Sequence, residues 1–174
     1  YASHLVGQIP AMHPARFLED VHNASPTEFR VGAAGYPEKH IDAPDLQDDV
    51  ARVKEKIDAG AEYIVTQMFF DNTHYFRFVD ECRRQGIVVP IIPGIKILAT
   101  KRQVTSIPRT FHCEIPPALA DTVLAADDDH VADVGVAWAV ELTRELLERG
   151  VPSVHFYVMQ NARLVNQVLA KLDP

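Results

Sequence analysis

Apolar positions along the chain alternate between stretches with a strand-like period and stretches with a helical one. Residues 3–9 and 14–24 carry short helical patterns broken at Ile9-Pro10 and His13-Pro14. Phe29-Arg30-Val31-Gly32-Ala33-Ala34-Gly35-Tyr36 reads as a first strand, with small residues that let a ligand or a neighbouring backbone come close. Leu46, Val50, Val53 and Ile57 then fall at i, i+4, i+7 and i+11, one core-facing stripe of a helix. Asp42 to Asp45 offers caps, Pro44 suits a first helical turn, and Gly60 follows the end. Glu62 to Asp71 is a buried strand ending in Gln67, Phe69 and Phe70. Thr73 can cap a helix over 74–85 that Gly86 ends, and Ile87 to Ile95 gives a third strand. A helical run over 100–106, a turn at Pro108, a helix near 117–125 and a long helix over 130–149 follow. Ser153 to Val158 is a fourth strand and 161–172 a last helix.

Strands alternating with helices at this spacing imply parallel strands joined by right-handed crossovers. No Gly-x-Gly-x-x-Gly follows a strand and no Gly-Lys-Ser/Thr loop is present, which argues against a dinucleotide-binding Rossmann unit and a P-loop. The better match is an α/β fold of the (β/α)8 TIM-barrel type, of which this chain supplies about half the strands. In such a barrel the reaction occurs at the C-terminal ends of the strands. Tyr36, His40, Gln67, Asp71 and Tyr157 all fall there.

Composition narrows the classes. With 17 Lys and Arg against 24 Asp and Glu the formal charge is −7, and no basic cluster exceeds Arg83-Arg84 or Lys101-Arg102, so nucleic acid is not expected as a partner. Cys82 and Cys113 are isolated and the eight histidines lack ligand spacing. A reduced, cytoplasmic setting and no metal are the expectation. No apolar run approaches a membrane span.

The candidate residues also have ordinary readings. Tyr36-Pro37 can be a turn, His40 a loop histidine, Tyr157 a core residue. Gln67 is harder to set aside, because a buried amide without partners costs about 1–3 kcal/mol. Asp49, Arg52 and Lys56 stand at i, i+3 and i+7 on a second stripe. They form either a solvated charged face or the wall of a groove where Lys56 and His40 meet an anionic cofactor.

Taken together, Tyr36-Pro37-Glu38-x-His40, the Asp49 to Lys56 segment, Ala59-Gly60-Ala61, Thr66-Gln67-x-Phe69-Phe70, Phe76-x-Phe78, Ile92-Pro93-Gly94-Ile95 and His155-Phe156-Tyr157 resemble the 5,10-methylenetetrahydrofolate reductase family. The resemblance runs in order over nearly the whole chain, from Tyr1-Ala2-Ser3 to Leu172. It implies a flavoprotein barrel that binds FAD without a covalent bond. NADH or NADPH reduces the flavin and leaves, and 5,10-methylenetetrahydrofolate then takes the hydride to become 5-methyltetrahydrofolate, a ping-pong scheme. By the same resemblance Ala2, Tyr36, His40, Asp49, Arg52 and Lys56 are FAD contacts. Gln67 serves both the folate and the nicotinamide, and Tyr157 contacts folate. Asn161, with Arg163 nearby, stands where bacterial members can offer an Arg to the folate tail.

The family's general acid, a Glu at the end of the first barrel strand, has no counterpart here, so no catalytic residue is assigned and the acid is expected upstream of Tyr1. The 174 residues therefore correspond to barrel strands five to eight, a single C-terminal half of the catalytic domain with no internal boundary. Such a half would need the N-terminal half as partner, would be inactive alone, and is expected within a homo-oligomer. Two other readings remain. One is a non-catalytic half-barrel that binds flavin or a partner chain. The other is a phosphate-binding lyase, which would need a Schiff-base lysine at a strand end; Lys96 is the one candidate.

Overall fold

The computed structural model describes residues 30–158 and 162–172. The helical patterns over 3–9 and 14–24, and the candidates Ala2 and Asn161, lie outside those residues. So does Tyr1, and the expectation of a general acid upstream of it is one that the described residues leave untouched. Within them the expected alternation is found: β1 Gly32–Gly35, α1 Leu46–Asp58, β2 Tyr63–Phe69, α2 Asn72–Arg84, β3 Ile91–Ile95, α3 Gln103–Phe111, α4 Pro117–Ala125, α5 Val131–Glu148, β4 His155–Phe156 and α6 Arg163–Leu172. The strands form one parallel sheet in the order β1-β2-β3-β4. That order never reverses, unlike a doubly wound sheet with its switch point.

Helix α1 forms where its stripe predicts. Val50 and Val53 are fully buried, and Leu46 and Ile57 pack on the same core. Asp45 caps it by accepting from the Asp48 N–H at 2.9 Å, so Pro44 stands before the cap rather than in the first turn. Gly60, at φ +109°, releases the chain toward β2. Ile64, Phe69, Phe78, Ile91 and Ile95 complete a core between sheet and helices. A second cluster, with Met68, Phe70, Leu98, Ile107 and Leu119, fills the space beneath α3 to α5.

Ile64 and Phe69 share one core although they stand at i and i+5, an odd interval that should place them on opposite faces of a strand. A bulge resolves this. Val65 pairs with Ile92 but Met68 pairs with Gly94, so Thr66 and Gln67 together face the single residue Pro93. Pro93 has no N–H to give the ladder, and a proline in a central strand is tolerated at such an irregularity. The extra residue turns β2 over just before its end.

Three expectations change in detail. The cap of α2 is Asp71, whose carboxylate accepts from the Thr73 N–H at 2.8 Å; Thr73 itself lies inside the helix. Burial pushes the Asp71 carboxyl up, but its bonds to Thr73 and the nearby His74 outweigh that and hold it below the ordinary value. The group therefore stabilises the fold above the unfolded carboxyl range and loses that contribution as pH falls through its native value. Asp71→Ala should cost about 1 kcal/mol at neutral pH in a denaturant titration, and the difference should shrink in acid. Pro108 lies within α3 rather than at a turn, losing one backbone bond near the helix end. There the His112 N–H donates to the Pro108 carbonyl at 3.0 Å, with His112 at φ +56°. Strand β4 is only two residues long, although the Tyr157 N–H extends its ladder to Ile95 O at 2.8 Å.

Candidate active site

The segment after β1 is folded by its own hydrogen bonds. Lys39, at φ +67°, closes a turn by donating its N–H to the Tyr36 carbonyl at 2.9 Å. Its ammonium reaches the Ala43 carbonyl at 2.8 Å, and the Ala43 N–H donates to His40 O at 3.0 Å. This brings the His40 ring edge-on to Tyr36, with centroids 4.8 Å apart. The His40 N–H donates to Asp49 Oδ2 at 3.2 Å, tying the loop to α1.

Tyr36, His40, Asp49, Arg52 and Lys56 line one open cleft of about 290 Å³, together with Asp42 and Ala43. All five of the predicted cofactor residues within the described range therefore converge on one cleft, with the second α1 stripe as one of its walls. Asp49 is 4% exposed. Burial raises its carboxyl above the ordinary range, while the His40 N–H, Lys56, His40 and Arg52 draw it back. Burial lowers the Lys56 ammonium below the ordinary lysine value, against Asp49 and Glu55. The Lys56 Nζ lies 3.4 Å from the Ala34 carbonyl of β1. Arg52 and Lys56 offer N–H donors, and Asp49 offers an acceptor. Such a mixed set fits a ligand carrying both phosphate and hydroxyl or amide groups, as the diphosphate and ribose portion of FAD does, better than it fits a bare anion.

Gln67 sits beside this cleft. It is half-buried within the bulge, two residues short of the strand end where the sequence reading put it. Its Oε1 accepts from the Met68 N–H at 3.0 Å. A narrow crevice lined by Tyr36, Gln67, Met68 and Cys113 joins it to the loop, so Tyr36 borders both spaces. Tyr157 reaches the same end of the sheet: its hydroxyl donates to the Thr66 carbonyl at 2.8 Å. Burial raises its phenol, with Tyr36 and Cys113 adding to the effect. The phenol is thus engaged with β2, and the residue lines a separate opening with Lys96 and Arg163 rather than the Asp49 cleft or the Gln67 crevice.

Sequence reasoning missed the residues that support this rim. The Thr66 hydroxyl accepts from the Gly94 N–H at 2.9 Å. Glu38 accepts from the Glu114 N–H at 2.6 Å across 76 positions and pins the Tyr36 loop to the segment before α4. Burial raises the Glu38 carboxyl, opposed by that bond and by His74. Pro93 in a central strand was the available signal for the bulge; nothing in the spacing signals the Glu38 tie. Lys96 donates to the Tyr157 carbonyl at 3.0 Å, and burial lowers its ammonium. Among the described residues no helix is long and apolar enough to cross a membrane.

Comparison with known proteins gives the family. The methylenetetrahydrofolate reductase family model matches residues 11–173. A Caenorhabditis elegans protein named probable methylenetetrahydrofolate reductase (NADPH) is 34% identical over 97% of this chain and 27% of its own length. The Escherichia coli 5,10-methylenetetrahydrofolate reductase is 36% identical over 79% of this chain and 47% of its own. The chain thus spans between about a quarter and a half of these curated relatives. An uncharacterized protein from Clostridium thermocellum, described as binding two copies of 5-methyl-5,6,7,8-tetrahydrofolic acid, shares the fold with a TM-score of 0.63 at 18% identity, over 87% of this chain and 55% of that one. With the family model matched over residues 11–173 and a relative 34% identical over 97% of this chain, the chain belongs to the methylenetetrahydrofolate reductase family.

Proposed function

We propose that this chain forms the C-terminal half, strands five to eight, of a single (β/α)8 barrel that reduces 5,10-methylenetetrahydrofolate to 5-methyltetrahydrofolate at the expense of NADH or NADPH. The observation that carries this reading is the convergence of Tyr36, His40, Asp49, Arg52 and Lys56 on one cleft beside Gln67. The sheet supports the barrel: four parallel strands run in sequence order, and among the described residues β1 and β4 each have a neighbour on one side only. Closing a barrel takes the other strands, which would also bring the general acid.

FAD, when bound, supplies the two-electron relay between nicotinamide and folate. The chain's own residues do the placing. Lys56 and Arg52 neutralise the diphosphate, Asp49 accepts from hydroxyl or amide donors, and the hydrogen-bonded loop holds His40 and Tyr36 against them. Gln67 faces one rim that NAD(P)H and the folate occupy in turn, which predicts ping-pong kinetics. The ring of Tyr157 walls the folate side. A homo-oligomer in the cytoplasm completes the proposal.

The test is spectroscopic. The full-length protein should carry the yellow flavin band, lose it on adding NADH or NADPH, and regain it with methylenetetrahydrofolate. Flavin that NAD(P)H does not bleach would replace this reading with a non-catalytic flavin-binding module. Lys56→Ala should weaken FAD retention about tenfold or more, the scale of a lost charge-assisted hydrogen bond. Because burial already lowers the Lys56 ammonium, wild-type affinity should fall as pH rises through that depressed value. The variant should be flat over the same window. Unaltered FAD affinity in Lys56→Ala would return this lysine to the solvated face.

A further inference from the structure

At the bulge in β2 three backbone groups are met by side chains. The Gly94 N–H donates to the Thr66 hydroxyl at 2.9 Å. The Thr66 carbonyl accepts from the Tyr157 hydroxyl at 2.8 Å. The Met68 N–H donates to Gln67 Oε1 at 3.0 Å. Thr66 is wholly buried and is the residue common to the first two bonds. A methyl-sized group on Gly94 would run into the Thr66 carbonyl and come within 2.6 Å of the Tyr157 ring, so the two strands are pressed together at this point. Since only the oxygen end of an amide side chain can accept from an N–H, the Gln67 amide is held with its carbonyl toward the strand, and its NH2 end is the part left to meet a ligand.

We propose that Thr66 is a positioning residue. Its hydroxyl and carbonyl lock the bulge that turns Gln67 toward the rim as a hydrogen-bond donor, so that the site selects ligands presenting an acceptor there, such as a ring carbonyl or a carboxamide oxygen. This rests on the reading of Gln67 as a substrate contact. A valine in place of Thr66 keeps the volume and the branching but cannot accept from the Gly94 N–H.

The experiment is a double-mutant cycle in the full-length enzyme, reading methylenetetrahydrofolate turnover, bound flavin and Tm. Thr66→Val should lower kcat/KM for the folate about 10- to 100-fold, the scale of a misplaced positioning group, while bound flavin is retained. Thr66→Ser, which restores the hydroxyl, should recover most of the rate. In a Gln67→Ala background Thr66→Val should lower Tm as before yet cost no further turnover. A Thr66→Val loss of equal size with and without Gln67 would show a merely structural role and overturn the proposal. Normal turnover in Thr66→Val beside impaired turnover in Gln67→Ala would overturn it too, leaving the proposed function intact. Normal turnover in Gln67→Ala would take Gln67 out of the site and overturn this proposal with it, while the activity itself stood. Should Thr66→Val not fold, Tyr157→Phe deletes the other bond of the same lock and must show the same dependence on Gln67.

Discussion

Gly94→Ala is expected to lower the melting temperature by about 10 °C and to abolish folate turnover together with it. The added carbon would meet the backbone carbonyl of Thr66 and the ring of Tyr157 at once. A flexible side chain could swing away, but the carbonyl is fixed by β2 and already accepts the Tyr157 hydroxyl. Overpacking of this kind costs about 3 kcal/mol, and each kcal/mol moves the midpoint of a domain this size by about 2–4 °C. The strands would have to part where the bulge sits, and Gln67 would move with them. Gly86 is the control. It stands at φ +81° with nothing within 4 Å of an added carbon, so Gly86→Ala bears backbone strain alone, about 1 kcal/mol, and leaves the site untouched. Thermal melts of the two variants beside turnover measurements would check the pair. A Gly94→Ala protein as stable as Gly86→Ala would mean that β2 and β3 are not pressed together at the rim.

The difference between those glycines marks the boundary of what could be read without coordinates. Element order was legible because each signal is local: the stripe of Val50 and Val53, the stop at Gly86, the apolar run through Ile64. The groove was half legible. The spacing of Asp49, Arg52 and Lys56 places them on one side of α1, but the choice between a solvated face and a wall depends on the loop at residues 36–43. That loop faces α1 because Lys39 adopts a left-handed conformation and the His40 N–H finds Asp49. The cap of α2 passed from Thr73 to Asp71 because Asp71 holds extended backbone at φ −136°, from which its carboxylate reaches the Thr73 N–H. The bulge was not legible as such. A period-two pattern assumes an unbroken pleat, and only the pairing of Thr66 and Gln67 against Pro93 breaks it. Gln67 drew notice for its chemistry; the reason it faces the rim lies in the strand alongside, at Pro93 and Gly94.

Gln67→Glu tests that chemistry most directly, and the expected result is a loss of about 100-fold in methylenetetrahydrofolate turnover, on the scale of deleting one well-placed donor in an active site. The exchange is isosteric. A carboxylate oxygen can still accept from the Met68 N–H, so the bulge and the fold should persist. What disappears is the NH2 end: the rim gains a negative charge and an acceptor where a substrate oxygen would lie. Bound flavin should be unchanged, because the cleft of Asp49, Arg52 and Lys56 lies on α1 and does not include this side chain. The profile should also acquire an acid limb. As pH falls and the introduced carboxyl takes up a proton it becomes a donor again, and turnover relative to wild type should rise. Steady-state rates across the acid range, with flavin content measured on the same samples, decide the matter. Wild-type kinetics in Gln67→Glu would take residue 67 out of the site. Loss of flavin in parallel with turnover would show that the cleft and the amide are not separable, and that the division of labour between α1 and β2 is wrong.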